Sequence, residues 1–467
     1  MRGIVLRRGE GNKHTMGGLQ VNRREFSKLS TLGAAAILQG ATPPLGRKTL
    51  VSAQEGGHTN ASRDAWFKEA RFGMFLTFGL STLLGEEVLA QSMDGIAVEE
   101  YAKLKDRYNP TEFSAREWVQ LVKEAGQRYM LLTTKNHDGF ALWDTKLSDF
   151  SVMHSPFGRD ICKELAEECH RQNMPLFFYF SLMDWHSPLY RGSLANGTPV
   201  SREFVEFMHG QVRELCTNYG PVSCMWFDGD WNHTPGQWEA EKLVRMIREL
   251  QPQALINNRL GRYNPDHIPA WEEDHLGDFS CPEMSLRGLP NESGRAWEFN
   301  STINDNWAWA KTDTRYKSTA RLIHLLVNSV ALGGNYLLNA SPLPTGKIDP
   351  RQAERLRDMG KWLSRNGESI YGAAAFRPIY YDSAFSTRKG DQVYLHILDW
   401  PPGASIDFWT LELKDAKRAY FLETGAGAEF TCSKNDFGLR LRIRNTNPEP
   451  SPDTVIVFDG AVPLKER

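Results

Sequence analysis

The chain has 467 residues, 41% of them hydrophobic, enough for one large catalytic domain and a smaller companion. A formal net charge of -2 provides no global field for nucleic acid or for an anionic membrane surface. The six cysteines, Cys162, Cys169, Cys216, Cys224, Cys281 and Cys432, follow no zinc-ligand spacing and most read as buried thiols.

Residues 1–57 read as a leader and linker. Asn22-Arg23-Arg24-Glu25-Phe26-Ser27-Lys28 precedes a mild apolar run, Leu29 to Ala41, and Val51-Ser52-Ala53 offers a small-x-small cleavage site. This is the pattern of a twin-arginine export signal, and it predicts a soluble mature protein in the periplasm or outside the cell. The apolar run is too short to span a bilayer, and no other stretch is a transmembrane candidate.

From Trp66 onward strands and helices alternate. Strands are expected at Phe72–Phe78, Tyr129–Thr134, Leu176–Ser181, Val222–Phe227, Ala254–Asn258, Ala296–Asn300 and Tyr336–Asn339. Helices are expected at Arg116–Gly126, Asp160–Gln172, Arg202–Cys216, Gly236–Leu250, Ser318–Leu332 and Pro350–Ser364. Tyr263 to Asn291, rich in Pro, Asp, Glu and Gly, reads as irregular. Short repeated strand–helix units predict a (β/α)8 barrel over residues 58–372. No GxGxxG or P-loop follows an early strand, which argues against nucleotide binding. After Ala373 short strands with turns, at Gln392–Leu398, Phe408–Leu413, Leu439–Ile443 and Thr454–Phe458, predict a β-sandwich over residues 373–467.

The apolar run Val222 to Phe227 stops at Asp228-Gly229. A strand buried on both faces does not hold a bare carboxylate in its middle, so Asp228 belongs at the strand's C-terminal end, where such folds place their chemistry. Aromatic residues flank it, as suits a sugar ring. Other strand ends supply Thr77, Asn136-His137-Asp138, Tyr179 and Asn257-Asn258-Arg259, and the later segments supply Glu272, Glu273, Glu283 and Glu298. Glycoside cleavage with retention needs two carboxyls about 5–5.5 Å apart, and inversion needs about 6.5–9.5 Å. Asp228 is the candidate nucleophile, with a nearby Arg such as Arg259 keeping it ionised; Glu283 and Glu298 both qualify as the acid/base. Asp228 and Asp230 lack the further ligands of a metal site, and no cofactor is expected.

These residues fall in a pattern that resembles glycoside hydrolase family 29, the α-L-fucosidases. It is carried by Arg71-Phe72-Gly73-Met74-Phe75, Tyr108-Asn109-Pro110-Thr111-Glu112-Phe113, Thr133-Thr134-Lys135-Asn136-His137-Asp138-Gly139-Phe140 and Trp226-Phe227-Asp228-Gly229. Pro282-Glu283, Trp297-Glu298, Trp307 and Gly333-Gly334-Asn335-Tyr336-Leu337-Leu338-Asn339 continue it, and the likeness spans residues 62–375. The resemblance implies a retaining exo-hydrolase that releases terminal α-L-fucose from a fucosylated oligosaccharide or glycoconjugate. It implies Asp228 as nucleophile and Glu283 as acid/base, with Glu298 next and Glu272 or Glu273 after. It also implies sugar contacts from His137, Tyr179, Trp226, Arg259, Trp307 and Glu87.

The chain departs from that pattern at three points. Thr77 stands where the family usually has His, Asn136 replaces the first of two adjacent His, and Val88 follows Glu87 in place of Trp. A buried sugar hydroxyl left without its partner costs about 1–3 kcal/mol. Two alternatives therefore stand beside the fucosidase reading: a hydrolase of another α-linked galacto-configured or deoxy sugar, and a carbohydrate-binding homologue with weakened catalysis.

Overall fold

The computed structural model describes residues 63–193, 198–260, 276–286, 295–376, 384–408, 416, 418–435, 438–446 and 450–460. The expected export leader and the candidates Glu272 and Glu273 lie outside them.

Eight parallel strands form the larger sheet: β1 (Phe72–Leu76), β2 (Met130–Lys135), β3 (Leu176–Ser181), β4 (Cys224–Asp228), β5 (Leu255–Ile256), β6 (Phe279–Ser280), β7 (Ala296–Thr302) and β8 (Asn335–Ala340). Their order is β5-β4-β3-β2-β1-β8-β7-β6. A parallel bridge between Asn257 and Phe279 joins the two ends, so the sheet closes into a barrel. Every described residue of these strands except Asp228 is buried. That explains the continuous apolar runs, since a strand covered inside and outside has no face for polar residues.

Amphipathic helices cover the outside: α1 (Ala115–Glu124), α2 (Ile161–Arg171), α3 (Arg202–Thr217), α4 (Ala240–Leu250), α5 (Thr319–Ala331) and α6 (Pro350–Asn366). Ser114, Asp160, Ser201, Ser318 and Asp349 each accept a hydrogen bond from a backbone N–H of the following turn, which fixes where those helices begin. The barrel interior is aromatic: Phe67, Phe75, Tyr129, Phe177, Tyr179 and Trp226 form one cluster with Leu131 and Leu337. Tyr129 stacks on Phe177 at 4.8 Å and crosses β1 so closely that a Cβ on Gly73 would lie 2.2 Å from its ring. The glycine of the Arg71-Phe72-Gly73 segment is thus a packing requirement.

The C-terminal part is antiparallel. β9 (Ala374–Ala375), β10 (Ala384–Lys389), β11 (Gln392–Leu398), β13 (Arg418–Phe421) and β16 (Asp453–Asp459) form one sheet; β12 (Ser405–Phe408), β14 (Phe430–Asn435) and β15 (Gly438–Arg444) form another. Val393, Leu395, Ile397, Phe421, Ile456 and Phe458 from the first share a core with Leu441 and Ile443 from the second. The barrel and this β-domain meet at α6, where the Trp362 indole N–H donates to the Asp453 carbonyl at 3.2 Å.

The structure differs from the sequence expectation in detail. β6 lies inside the stretch expected to be irregular, because two residues flanked by Pro and Gly carry no readable period. β9, β10, β13 and β14 were not foreseen: β9 is only two alanines, the others alternate polar and apolar residues only weakly, and pairing with neighbouring strands supplies what the pattern lacks.

Candidate active site

The C-terminal ends of the barrel strands bring most of the candidate residues together. Asp228 is the last residue of β4 and pairs in register with Ser181, the last of β3. Gly229 follows with φ +72°, a left-handed conformation that turns the chain out of the strand at once. A Cβ there would lie 2.9 Å from both Met183 Cγ and Ser181 Oγ. The Asp-Gly step is therefore built into the site floor.

Asp228 is held from three sides. Arg259 Nη1 donates to its Oδ1 at 2.7 Å, and the Tyr179 hydroxyl donates to its Oδ2 at 2.9 Å. His137 Nε2 stands 3.9 Å from Oδ2, beyond hydrogen-bond reach. Burial alone would raise the Asp228 carboxyl, but the Arg259 charge with its hydrogen bond and the Tyr179 hydrogen bond outweigh it and hold the group below the usual carboxylate range. Asp228 is thus an anion with one open side.

Arg259 has a second arm. Its Nη2 donates to Glu283 Oε2 at 2.6 Å, and its guanidinium lies 4.8 Å from the Trp226 ring centre. One buried guanidinium therefore joins the two candidate catalytic carboxylates. Glu283 is the more accessible of the two, its side chain 37% exposed against 13% for Asp228.

His137 Nδ1 meets Ser181 Oγ at 2.7 Å, which leaves Nε2 facing Asp228. Burial lowers its proton affinity, with the Asp228 charge opposing, so the imidazole is neutral at pH 7. Asp138 does not pair with His137: it accepts from the Tyr101 hydroxyl at 2.9 Å and from the Phe140 N–H at 3.0 Å. Asn136 Oδ1 accepts from the His137 N–H at 2.7 Å, shaping the loop.

A second group gathers at the ends of β1 and β8. The Thr77 hydroxyl donates to Asn339 Oδ1 at 2.6 Å, and Asn339 Nδ2 donates to the Trp307 carbonyl at 2.7 Å. Glu87 Oε2 accepts from the Trp307 N–H and Oε1 from the Val88 N–H, both at 2.7 Å. Burial raises the Glu87 carboxyl to about 7; these backbone donors oppose the shift, and the nearby negative charge of Glu283 adds to it.

Two candidates lie deeper. Trp226 is 1% exposed; its indole N–H donates to Glu298 Oε1 at 3.2 Å, and its ring stacks on Tyr179 at 5.6 Å. It is a plate beneath Tyr179 and Arg259. Glu298 is fully buried and pairs in register with Asn335, the first residue of β8, toward the barrel end opposite Asp228. Its other oxygen accepts from the Tyr129 hydroxyl, and burial raises it to about 7. Asp228 and Glu283 meet through Arg259, whereas Glu298 is bonded inside the barrel.

Ser181 and Asn339 were not singled out from the sequence. Ser181 is the last residue of β3 and Asn339 the last but one of β8, and a place at a strand's C-terminal end was the available signal. Among the described residues no three His, Cys, Asp or Glu side chains gather as metal ligands would, and no helix is long and apolar enough to cross a membrane.

The α-L-fucosidase family model matches residues 50–368. The human tissue α-L-fucosidase is 31% identical over 400 residues, covering 79% of this chain and 82% of that protein. The structure of α-L-fucosidase isoenzyme 1 from Paenibacillus thiaminolyticus superimposes with a TM-score of 0.77 at 34% identity, covering 86% of this chain and 99% of that one. A family 29 α-L-fucosidase from Bacteroides thetaiotaomicron, trapped as a covalent intermediate with 2-fluoro-fucosyl fluoride, superimposes with a TM-score of 0.75 at 27% identity, over 87% of this chain and 98% of that one. The chain belongs to the α-L-fucosidase family, glycoside hydrolase family 29.

Proposed function

We propose that this protein is a retaining exo-α-L-fucosidase that releases terminal fucose from oligosaccharides or glycoconjugates in two displacements, with Asp228 as nucleophile and Glu283 as acid/base. The observation that carries this reading is the single Arg259 guanidinium whose two arms hold Asp228 and Glu283. Two carboxylates bonded to the two arms of one guanidinium are supported as a pair working on one glycosidic bond, and the likeness to a family 29 enzyme trapped as a covalent intermediate supports retention.

In the first step Asp228 attacks the anomeric carbon and the bond to the leaving oxygen breaks. Glu283, being the exposed partner, leaves Arg259, takes up a proton from solvent and hands it to that oxygen as the bond breaks. Arg259 and Tyr179 stay on Asp228 and keep it in the attacking form. In the second step Glu283 takes a proton from water, the water oxygen attacks the anomeric carbon, and the Asp228 ester bond breaks to restore the carboxylate. Neutral His137, held by Ser181, and the Glu87–Trp307 pair are the groups placed to bond sugar hydroxyls. Thr77 and Asn136 contribute through Asn339 and through the His137 loop. We assign catalysis to residues 58–372 and the β-domain to 373–467. The twin-arginine pattern of residues 1–57 supports export to the periplasm or beyond.

The test is hydrolysis of an aryl α-L-fucoside followed by NMR of the first-formed sugar. The α-anomer is expected first, Asp228→Ala loses several orders of magnitude in rate, and azide restores turnover to Glu283→Ala on an activated substrate with a fucosyl azide product. First-formed β-anomer, or preferred turnover of an α-galactoside, overturns the proposal.

A further inference from the structure

Five large apolar side chains stand exposed among the described residues, and two of them lie on the loops of the proposed catalytic pair: Trp231 at 45%, three residues after Asp228, and Met284 at 49%, next to Glu283. Trp231 sets its ring edge against His137 at 5.5 Å and belongs to the nucleophile's side of the site. Met284 covers no core. Its backbone has φ +56°, a conformation that non-glycine side chains rarely adopt. Three bonds enforce it: the Ser285 N–H donates to the Glu283 carbonyl at 2.7 Å, closing a γ-turn around Met284, the Met284 N–H donates to the Asn300 carbonyl at 3.0 Å, and the Asn300 N–H donates to the Pro282 carbonyl at 3.0 Å. A strained turn that presents a thioether to solvent beside the acid points to a contact the free protein does not make.

We propose that Met284 forms a subsite for the leaving group, packing its thioether and methyl against the C–H face of the pyranose ring to which fucose is attached. The proposal rests on Glu283 being the acid/base. For Glu283 to protonate the glycosidic oxygen, that oxygen must come within hydrogen-bond distance of its carboxyl. The first ring of the leaving group is bonded to that same oxygen, so it is delivered to the neighbouring side chain. Met suits such a place, because an unbranched, polarizable chain adapts to rings of different substitution.

The experiment compares kcat/KM on three substrates that separate the ring from the proton. Fucosyl fluoride needs neither proton nor leaving-group ring; methyl α-L-fucoside needs the proton only; an α-L-fucosyl galactose disaccharide needs both. Met284→Gly is the main variant, since glycine occupies φ +56° without strain and the fold is kept. It is expected to lose about tenfold on the disaccharide, the scale of one lost apolar contact, and nothing on the fluoride or the methyl glycoside. Met284→Leu is expected to restore the disaccharide rate. A parallel loss on methyl fucoside means that the turn acts only by aiming Glu283, and an unchanged disaccharide rate means that no contact exists; either result overturns the proposal. Failure of the underlying acid assignment looks different: Glu283→Gln would then hydrolyse methyl fucoside as well as the wild type does.

Discussion

Arg259→Met removes the charge that joins the two proposed catalytic carboxylates while keeping nearly the length of the side chain. Arg259 is 6% exposed at the side chain and lies 2.7 Å from Asp228, itself 13% exposed. Charge centres about 4 Å apart interact by about 4 kcal/mol at an effective dielectric of about 20, which corresponds to about three pH units. The Tyr179 hydrogen bond remains and Asp228 keeps some contact with water, so about two of those units are expected to appear. In the proposed mechanism the Asp228 carboxylate is the active form, so activity should be lost as pH falls through its folded-state value. Losing Arg259 raises that value, so the acid limb of kcat/KM on an aryl α-L-fucoside should move up by about two pH units. Arg259→Lys returns a charge without the fork: the acid limb should move back toward the wild type, while kcat/KM on the plateau stays at least about tenfold low because one ammonium does not bridge both carboxylates. An unshifted acid limb in Arg259→Met would refute the argument that this guanidinium keeps Asp228 ionised.

Glu298, raised by burial from 4.5 to about 7, makes stability depend on pH. Between those values the folded chain holds a proton that the unfolded chain has released, so stability falls as pH rises through the window. Relative to Glu298→Gln, the wild type should lose roughly 3 kcal/mol between pH of about 4.5 and 7.5; a pH-independent difference in urea melts would contradict this. Gly229→Ala puts a Cβ 2.9 Å from Ser181 Oγ and 3.3 Å from His137 Nδ1 at φ +72°. It should cost about 1–3 kcal/mol in stability and lower kcat/KM, and a variant with wild-type values for both would show that the turn is not tight. In the β-domain His396 Nδ1 meets Asp453 Oδ2 at 2.7 Å, with both side chains fully buried. Asp453→Ala leaves the imidazole without that partner and should cost about 3 kcal/mol, read as a lowered unfolding midpoint; an unchanged midpoint would show the pair to be dispensable.

The barrel was legible because strands buried on both faces write their sequence as uninterrupted apolar runs, and Asp228 stood out as the point where such a run ends in a charge. The same rule located Tyr179, two residues before a strand end, and His137 and Arg259, just past one. It gave no way to separate Glu283 from Glu298. Glu283 falls in a stretch expected to be irregular and Glu298 inside an expected strand, and only register shows that Glu298 faces Tyr129 and Trp226 near the start of β7. Trp226 was legible as an aromatic near the site but not as a buried plate, since side-chain depth depends on Tyr179 and Arg259 from other strands. The β-domain was read least well, because its strands owe their form to antiparallel neighbours distant in sequence. Asn339 and Ser181 act through single hydrogen bonds, which leave no periodic trace.

The claim on which the account stands is that the Asp228 carboxylate forms a bond to the sugar. Incubation with 2-fluoro-fucosyl fluoride, followed by peptide mass spectrometry, tests it directly. The account predicts one 2-fluoro-fucosyl adduct per chain, on Asp228. An adduct on Glu283, on Glu298 or on another side chain would contradict it.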